Sequence, residues 1–326
     1  MIRFLFKRFL WFVLTLLVVI TVSFFLMRGV RGGPFSNERT LHPVIEANLK
    51  ARYHLDWPQW KQFLHYVGPF NLDESGLFGG DRTRIFGGVI AGDFGPSFRY
   101  RDFTVNQIIA ESLPISVMLG CLALAWAIFL GVTAGLVSAL RRGSGLDLAM
   151  RLLATLGIAL PNFVIAGFLI IPFAFRWELF PAAGWGTIQH MVLPGFALGA
   201  PFAAYIARLT RTGMLEILSQ DFIRTAFAKG LPGRIVLLRH AIKGGLLPVI
   251  SYLGPATAGI LTGSLVIERI FAIPGTGSHF VNSATNRDYT LAMGVTILYT
   301  VLVYGLNTIV DLAYTLLDPR IQLEDE

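Results

Sequence analysis

The chain carries six long runs of apolar residues, each near the length a helix needs to cross a lipid bilayer. Roughly 20 apolar residues are required, because about 30 Å of hydrocarbon offers no water to the backbone and the helix must satisfy its own hydrogen bonds. The runs lie at about Phe9–Met27, Leu113–Leu140, Leu152–Phe175, His190–Leu209, Gly244–Ile267 and Leu291–Leu317. Pro194, Gly195, Gly199 and Pro201 interrupt the fourth. Composition agrees with a bilayer as solvent. Of 326 residues, 54% are apolar and 14% charged, against about 25% charged in a soluble domain. The mean hydropathy of +0.62 is more than a soluble protein of this length could bury. The 34 glycines and 26 phenylalanines suit helices packed closely in lipid. The expected fold is an all-α polytopic membrane protein with six transmembrane helices.

Arg3, Lys7 and Arg8 precede the first run as they would in a signal peptide. The run is too long for one, however, and ends in Arg28 without a small-residue cleavage site, so a retained helix is expected. Arg141, Arg142 and Arg151 lie between the second and third runs. Arg208, Arg211, Arg224, Lys229, Arg234, Arg239 and Lys243 lie around and between the fourth and fifth. The opposite side has Arg176, Arg269 and Arg287. Positive residues collect in the cytoplasm, which puts both termini there. The 28–112 loop holds ten basic residues, but a loop longer than about 60 residues crosses regardless of charge. The +7 net charge follows this topology rather than a nucleic-acid surface, and no nucleic-acid partner is expected. The one cysteine, Cys121, sits in an apolar run and reads as a small hydrophobe.

No G-x-x-x-x-G-K-[ST] loop is present to cradle a nucleotide, and no H-E-x-x-H or G-x-S-x-G. The six histidines (His42, His54, His65, His190, His240, His279) show no i, i+4 pairing. No catalytic, metal or cofactor residue is therefore named. Asp311, one turn after Asn307, is the ionisable exception within the runs. Such an acid can carry protons or ions, or can be a structural group bonded to a neighbouring helix; a pump would show several in relay. The chain thus displays no energy source of its own. An ion-coupled secondary transporter and an intramembrane enzyme are the rival classes. The first predicts ATP-independent transport dependent on Asp311, and the second a nucleophile–base pair that the runs lack.

Three segments lie outside the runs: an external loop at 28–112, a cytoplasmic connector at about 210–243, and an external connector at about 268–290. In the cytoplasmic connector, Asp221 can cap a helix over Phe222–Lys229. Gly230 fits just past its end, where positive φ carries no Cβ strain, and Pro232 blocks continuation. A second amphipathic segment with Ile235, Val236, Leu238, Ala241 and Ile242 leads to Pro248. The residues alone allow either a membrane-surface helix or a helix that docks into a partner.

The stretch R-T-A-F-A-K-G at 224–230, with L-R-H-A at 238–241 and L-L-P at 246–248, resembles the coupling loop of ABC importer permeases. The family writes it E-A-A, three residues, Gly, then a later L-P. Ala226 and Gly230 match, whereas Arg224 and Thr225 replace Glu and Ala and the gap to Pro248 is longer than in sugar-type permeases. Both departures resemble the oligopeptide, dipeptide and nickel branch. So do G-D-F-G-P-S-F at 92–98, A-L-R-R-G-S at 139–144, P-N-F at 161–163, N-R-D-Y at 286–289 and D-P-R-I at 318–321. V-I-E-R-I-F-A-I-P-G-T-G at 266–277 is similar to that branch's external connector, and S-N-E-R-T-L-H-P at 36–43 resembles its oligopeptide member. Gly68–Val89 looks like a local Gly-rich insertion.

The resemblance implies the type I ABC importer permease fold. It also implies these divisions: 1–27 as tail and first helix, 28–112 as an extracytoplasmic loop domain, 113–317 as a five-helix core with coupling loop 219–248, and 318–326 as a cytoplasmic tail. The implied partners are a homologous second permease, two cytoplasmic ABC ATPase subunits that carry ATP and Mg, an extracytoplasmic peptide-binding protein, and membrane lipid. Phe222, Ile223, Ala226, Phe227 and Gly230 are the expected ATPase contacts, joined by Asp221 and Thr225, with Arg224, Lys229 and Arg234 adding electrostatic docking. Glu268, Phe271, Pro274, Gly275 and Gly277 are expected to form an external gate or docking element; an ordinary re-entry loop is the alternative. Trp57, Trp60, Phe63 and Tyr66 would pack the 28–112 cap onto the membrane interface or present it to the binding protein. Sister permeases for nickel, dipeptides or murein peptides fit the same motifs.

Overall fold

The computed structural model describes residues 2–29, 54–68, 87–100 and 102–317. The 36–43 stretch, most of the 68–89 insertion, the 318–321 stretch and the 318–326 tail lie outside the described residues. Helices dominate: α1 (Ile2–Gly29), α2 (Gln59–Val67), α3 (Val105–Leu140) and α4 (Gly145–Ala159) come first. They are followed by α5 (Asn162–Arg176), α6 (Gln189–Leu218), α7 (Asp221–Ala228) and α8 (Gly233–Gly245). The last are α9 (Leu247–Ile270), α10 (Thr276–Thr285) and α11 (Tyr289–Leu317). Two isolated antiparallel bridges, Gly88 with Asp93 and Pro96 with Thr104, are the extended pairing among the described residues.

By length and composition α1, α3, α6 and α11 can each cross a membrane. The count reaches six if α4 with α5, bent by 112°, and α8 with α9, bent by 49°, each form one span. The sequence predicts one continuous third span, and the bend has a local cause. Pro161 disfavours helical backbone at the residue before it, and Leu160 is extended at φ −86°, ψ 128°. The fourth run shows the opposite: despite Pro194 and Pro201, α6 is unbroken and continues past Leu209 to Leu218. The connector at about 268–290 contains a helix, α10, where the sequence suggests only a shaped turn.

The chain divides into two compact units. One comprises residues 1–114, 274–305 and 323–326; the other comprises 115–273 and 306–322. In the first, Ile20 and Phe24 of α1 share a core with Tyr66 of α2 and Met293 and Ile297 of α11. Phe24 meets Phe63 edge-on at 5.3 Å, so the apolar face of α2 lies on α1, while Trp60 stays exposed. A second cluster joins Val105, Ile108 and Ile109 of α3 to Leu291 and Val295 of α11.

In the other unit, Leu119 and Ala123 of α3, Ala166 of α5, Leu193, Ala197 and Leu198 of α6, and Ile260 and Ile267 of α9 form one buried cluster. Gly131 and Gly135, four residues apart on α3, set the spacing to α6. A Cβ at Gly131 would stand 2.7 Å from the Ala203 carbonyl and from Ile206; at Gly135 it would meet Thr210 at 2.5 Å and the Ala207 carbonyl at 2.6 Å. Lipid tails are as apolar as leucine, so helices in a bilayer gain little from the hydrophobic effect and rely on such close approach. Gly131→Val is therefore expected to destabilise the protein by about 1–3 kcal/mol through overpacking. Thermal unfolding of the purified chain should show it, with Gly167→Val, where a Cβ meets nothing within 4 Å, as the neutral comparison. Equal melting of the two variants would contradict the spacing role.

Candidate functional site

The connector at about 210–243 folds into a short helix locked on one side and bare on the other. Gln220 occupies the N-cap position of α7 and Asp221 is the first helical residue, one position earlier than the sequence suggests. No side-chain cap is made; the Asp221 carboxylate instead pairs with exposed Arg224 at 3.2 Å and favours the helix N-terminus by its charge. The other end is built as expected. Gly230 has φ +77°, its N–H donates to the Phe227 carbonyl at 2.9 Å, and the Leu231 N–H donates to the Ala226 carbonyl at 3.3 Å. This paired closure, with an apolar residue following the glycine, ends the helix sharply.

Helical periodicity then separates two faces. Ile223 and Ala226 are buried in a cluster with Ala139 of α3, Met214 of α6, and Val236 and Ala241 of α8. Asp221, Phe222, Arg224, Thr225, Phe227, Lys229, Gly230 and Arg234 are exposed, with Phe222 at 49% and Phe227 at 51%. Of the five expected apolar contacts, two therefore face the chain's own core and three face outward. An exposed pair of phenylalanines beside three basic residues is a surface with an apolar centre and a charged rim.

Asp147, which sequence reasoning passed over, stands beside this cluster. Ser144 caps α4 by accepting the Asp147 N–H at 3.3 Å, and the carboxylate turns back into the protein, where it is 1% exposed. Ser138 of α3 donates to Oδ1 at 2.6 Å, and the Gly143 N–H donates to Oδ2 at 3.0 Å. Arg211 of α6 grips both oxygens, Nε at 2.8 Å and Nη2 at 3.0 Å, while Arg151 stands at 3.5 Å. The Arg211, Ser138 and Gly143 hydrogen bonds hold this carboxyl well below the usual carboxylate range. A signal existed: Ser144-x-x-Asp147 just before an apolar run is the spacing of a capping box.

The connector at about 268–290 falls on both sides of the unit division. In the 115–273 unit, Glu268 is fully buried and accepts the Ser116 hydroxyl at 2.8 Å. Phe271 is buried, its carbonyl accepting the Gly184 N–H at 2.7 Å, and the Ile273 N–H returns to the Glu268 carbonyl at 2.8 Å. In the other unit, Gly275 is the extended N-cap of α10, Pro274 is exposed, and Gly275 and Gly277 are buried. Asp288 ties that unit together. It accepts the Ser97 hydroxyl at 2.5 Å, the Phe98 N–H at 3.2 Å, the Arg99 N–H at 3.3 Å and the Leu291 N–H at 3.2 Å. The 92–98 and 286–289 motifs, distant in sequence, thus form one knot. Asp311 is half-buried on α11.

Two family models match the chain: residues 131–323 fit the binding-protein-dependent transport system inner membrane component, and residues 1–120 fit the N-terminal part of such membrane components. The oligopeptide transport system permease protein OppB of Haemophilus influenzae is 45% identical over 99% of this chain and 100% of its own length. OppB of Escherichia coli K12 is 44% identical with the same coverage, and the dipeptide transport system permease protein DppB of Bacillus subtilis is 44% identical over 99% of each chain. A crystal structure of an amino acid ABC transporter with histidines superposes with a TM-score of 0.51 at 16% identity, covering 64% of this chain and 93% of that one.

Replacing Asp147 by Asn should lower the melting temperature more than Arg151→Gln, because it leaves Arg211 without its carboxylate. Since the folded-state pKa is depressed, the pair's contribution should be intact above about pH 4, the ordinary aspartate value, and decline as pH falls below it. The Asn variant should lack that acid-side decline, and identical pH profiles would contradict the assignment.

Proposed function

The chain belongs to the family of inner-membrane components of binding-protein-dependent transport systems, and on that premise we propose that it forms half the translocation path of an ATP-driven peptide importer. Its fold is that of type I ABC importer permeases. In this reading a homologous second permease completes the path, two cytoplasmic ATPase subunits bind and hydrolyse ATP with Mg, and an extracytoplasmic binding protein delivers the peptide. The termini lie in the cytoplasm of a bacterial cell, in accord with the positive loops. The observation that carries the coupling role is the two-faced α7. Its outer face carries Phe222, Phe227, Arg224 and Lys229, and its inner face, Ile223 and Ala226, packs with α3, α6 and α8. A push on the outer face is transmitted as a rigid-body displacement because the inner face has no slack to absorb it.

Oligopeptides are the substrate read first, from the S-N-E-R-T-L-H-P stretch at 36–43 and from oligopeptide permeases 44–45% identical to this chain. Dipeptides are the second reading, since a dipeptide permease is equally similar at 44%. Both ask the same of a permease: a wide path with weak side-chain readout, selection resting with the binding protein. The outer connector, with Glu268 and Phe271 before Pro274, Gly275 and Gly277, serves as the gate or docking element in this scheme.

Uptake of labelled peptides of graded length into proteoliposomes holding the full assembly tests the function. Uptake should require ATP and binding protein, and competition should rank the lengths. ATP-independent uptake by this chain alone, abolished by Asp311→Asn, would establish the ion-coupled alternative instead. For the coupling helix, Phe222→Ala with Phe227→Ala should reduce ATP-dependent uptake about tenfold or more, as expected for removing two anchors of about 2 kcal/mol each, while the chain still inserts. Gly230→Val should also uncouple hydrolysis from uptake, because the positive φ strains a branched residue. Unaltered uptake in both variants would displace the coupling role from α7.

A further inference from the structure

A cavity of about 430 Å³ lies between α3, α4 and α6, close to the Asp147 knot and separate from the exposed face of α7. Three guanidinium groups line it, Arg151, Arg208 and Arg211, and no Asp or Glu is among its lining residues. Asp147 behind it is paired with Arg211 and approached by Arg151, so one carboxylate faces three cations. Arg208 lies over the Tyr205 ring at 5.6 Å and has no carboxylate within 4.0 Å among the described residues. The site carries an uncompensated positive charge of two. The rest of the lining is graded in polarity. Ile158, Ala159 and Ala134 form an apolar end, and Ile158 sits about 10 Å along α4 from Arg151 at 1.5 Å per residue.

We propose that this cavity holds an anionic phospholipid of the cytoplasmic leaflet, its phosphate between Arg151 and Arg208 and one acyl chain along Ile158 and Ala159. Four observations favour that occupant. Charge demands an anion, since basic pockets between membrane helices on the cytoplasmic side recruit acidic headgroups. A small soluble anion would leave the apolar end unfilled. A zwitterionic peptide would bring an ammonium group to three arginines, and Asp147, whose two oxygens already accept from Ser138, Gly143 and Arg211, could not receive it. Continuity with the bilayer comes from the exposed apolar surface of α4 beside the cavity, Leu152 at 56%, Leu153 at 60% and Leu156 at 54%. The proposal rests on the orientation given above but on neither ATP nor substrate.

The full chain, purified in mild detergent, is equilibrated with phosphatidylcholine vesicles containing phosphatidylglycerol, and retained lipid is counted by native mass spectrometry. One phosphatidylglycerol should be retained in preference to phosphatidylcholine. Arg151→Gln with Arg208→Gln should weaken that retention roughly tenfold or more, each cation near a membrane surface contributing on the order of 1 kcal/mol. Arg208→Lys should preserve it. Ile158→Trp, which fills the apolar end and leaves every arginine in place, should abolish it. Equal retention of both lipids by the unaltered chain, or undiminished retention in the double-glutamine and Ile158→Trp variants, overturns the proposal. Displacement by inorganic phosphate as effectively as by phosphatidylglycerol makes the cavity a soluble-anion site. Displacement by a tripeptide makes it part of the substrate path, and either result also overturns the lipid. The measurement involves no transport, so its failure leaves the importer reading standing.

Discussion

A carboxylate removed from water must be neutralised where it stands, and at Asp147 the neutralising groups arrive from three helices. Ser138 ends α3, Ser144 and Gly143 shape the turn into α4, and Arg211 reaches across from α6. A bidentate guanidinium fixes both distance and rotation between the elements that carry it, which a lone hydrophobic contact cannot do. The same helix ends carry Ala139 and Met214, which receive Ile223 and Ala226 of α7. The knot therefore lies one layer behind α7 and fixes the elements on which its inner face packs.

Asp147 is one instance of a wider arrangement. The buried acids among the described residues are Asp147, Glu268 and Asp288, and a buried serine hydroxyl donates to each: Ser138, Ser116 and Ser97. Each pair connects a helix terminus with a different part of the chain. Buried in protein, each carboxylate would otherwise be an unpaired polar group, so the bond is a strong constraint on which ends meet. These carboxylates are occupied holding helices. That accords with a transport path that neither binds a coupling ion through them nor reads its cargo through charge, and with an energy source on other subunits.

The spans were legible because membrane insertion leaves a signature in composition that no packing detail can overwrite. Six apolar runs correspond to four straight helices and two bent pairs. The proline effects were less legible. Pro161 bends its span, whereas Pro194 and Pro201 leave α6 continuous, and the difference lies in what surrounds each one. The Pro194 and Gly195 region is buried within its unit and held by packing, while Pro161 follows an extended Leu160. The position of the short helix α7 and the closure at Gly230 could be read from local chemistry. The choice of face could not be made from motif matching alone, since Ile223 and Phe222 are both apolar and only tertiary packing decides which is covered. Asp147 and Asp288 escaped because their importance comes from partners many residues away; the sequence motifs around them were visible, but not the fact that a single carboxylate closes each knot.

The distribution of charge around α3, α4 and α6 joins these strands. A protein that needs Arg211 to clamp Asp147 needs one cation there, yet three guanidiniums line the adjoining cavity. Crowded like charges beside a low-dielectric membrane raise one another's cost, and the one carboxylate that Arg151 approaches is already gripped by Arg211, so an added anion would relieve both Arg151 and Arg208. Under the proposed orientation the leaflet supplies that anion continuously, as a headgroup whose chain lies along the apolar end of the cavity. The knot that ties α3, α4 and α6 together would then be completed by the membrane itself. The Asp147–Arg211 clamp and its neighbouring cations form one electrostatic unit, in which the bilayer contributes the last partner.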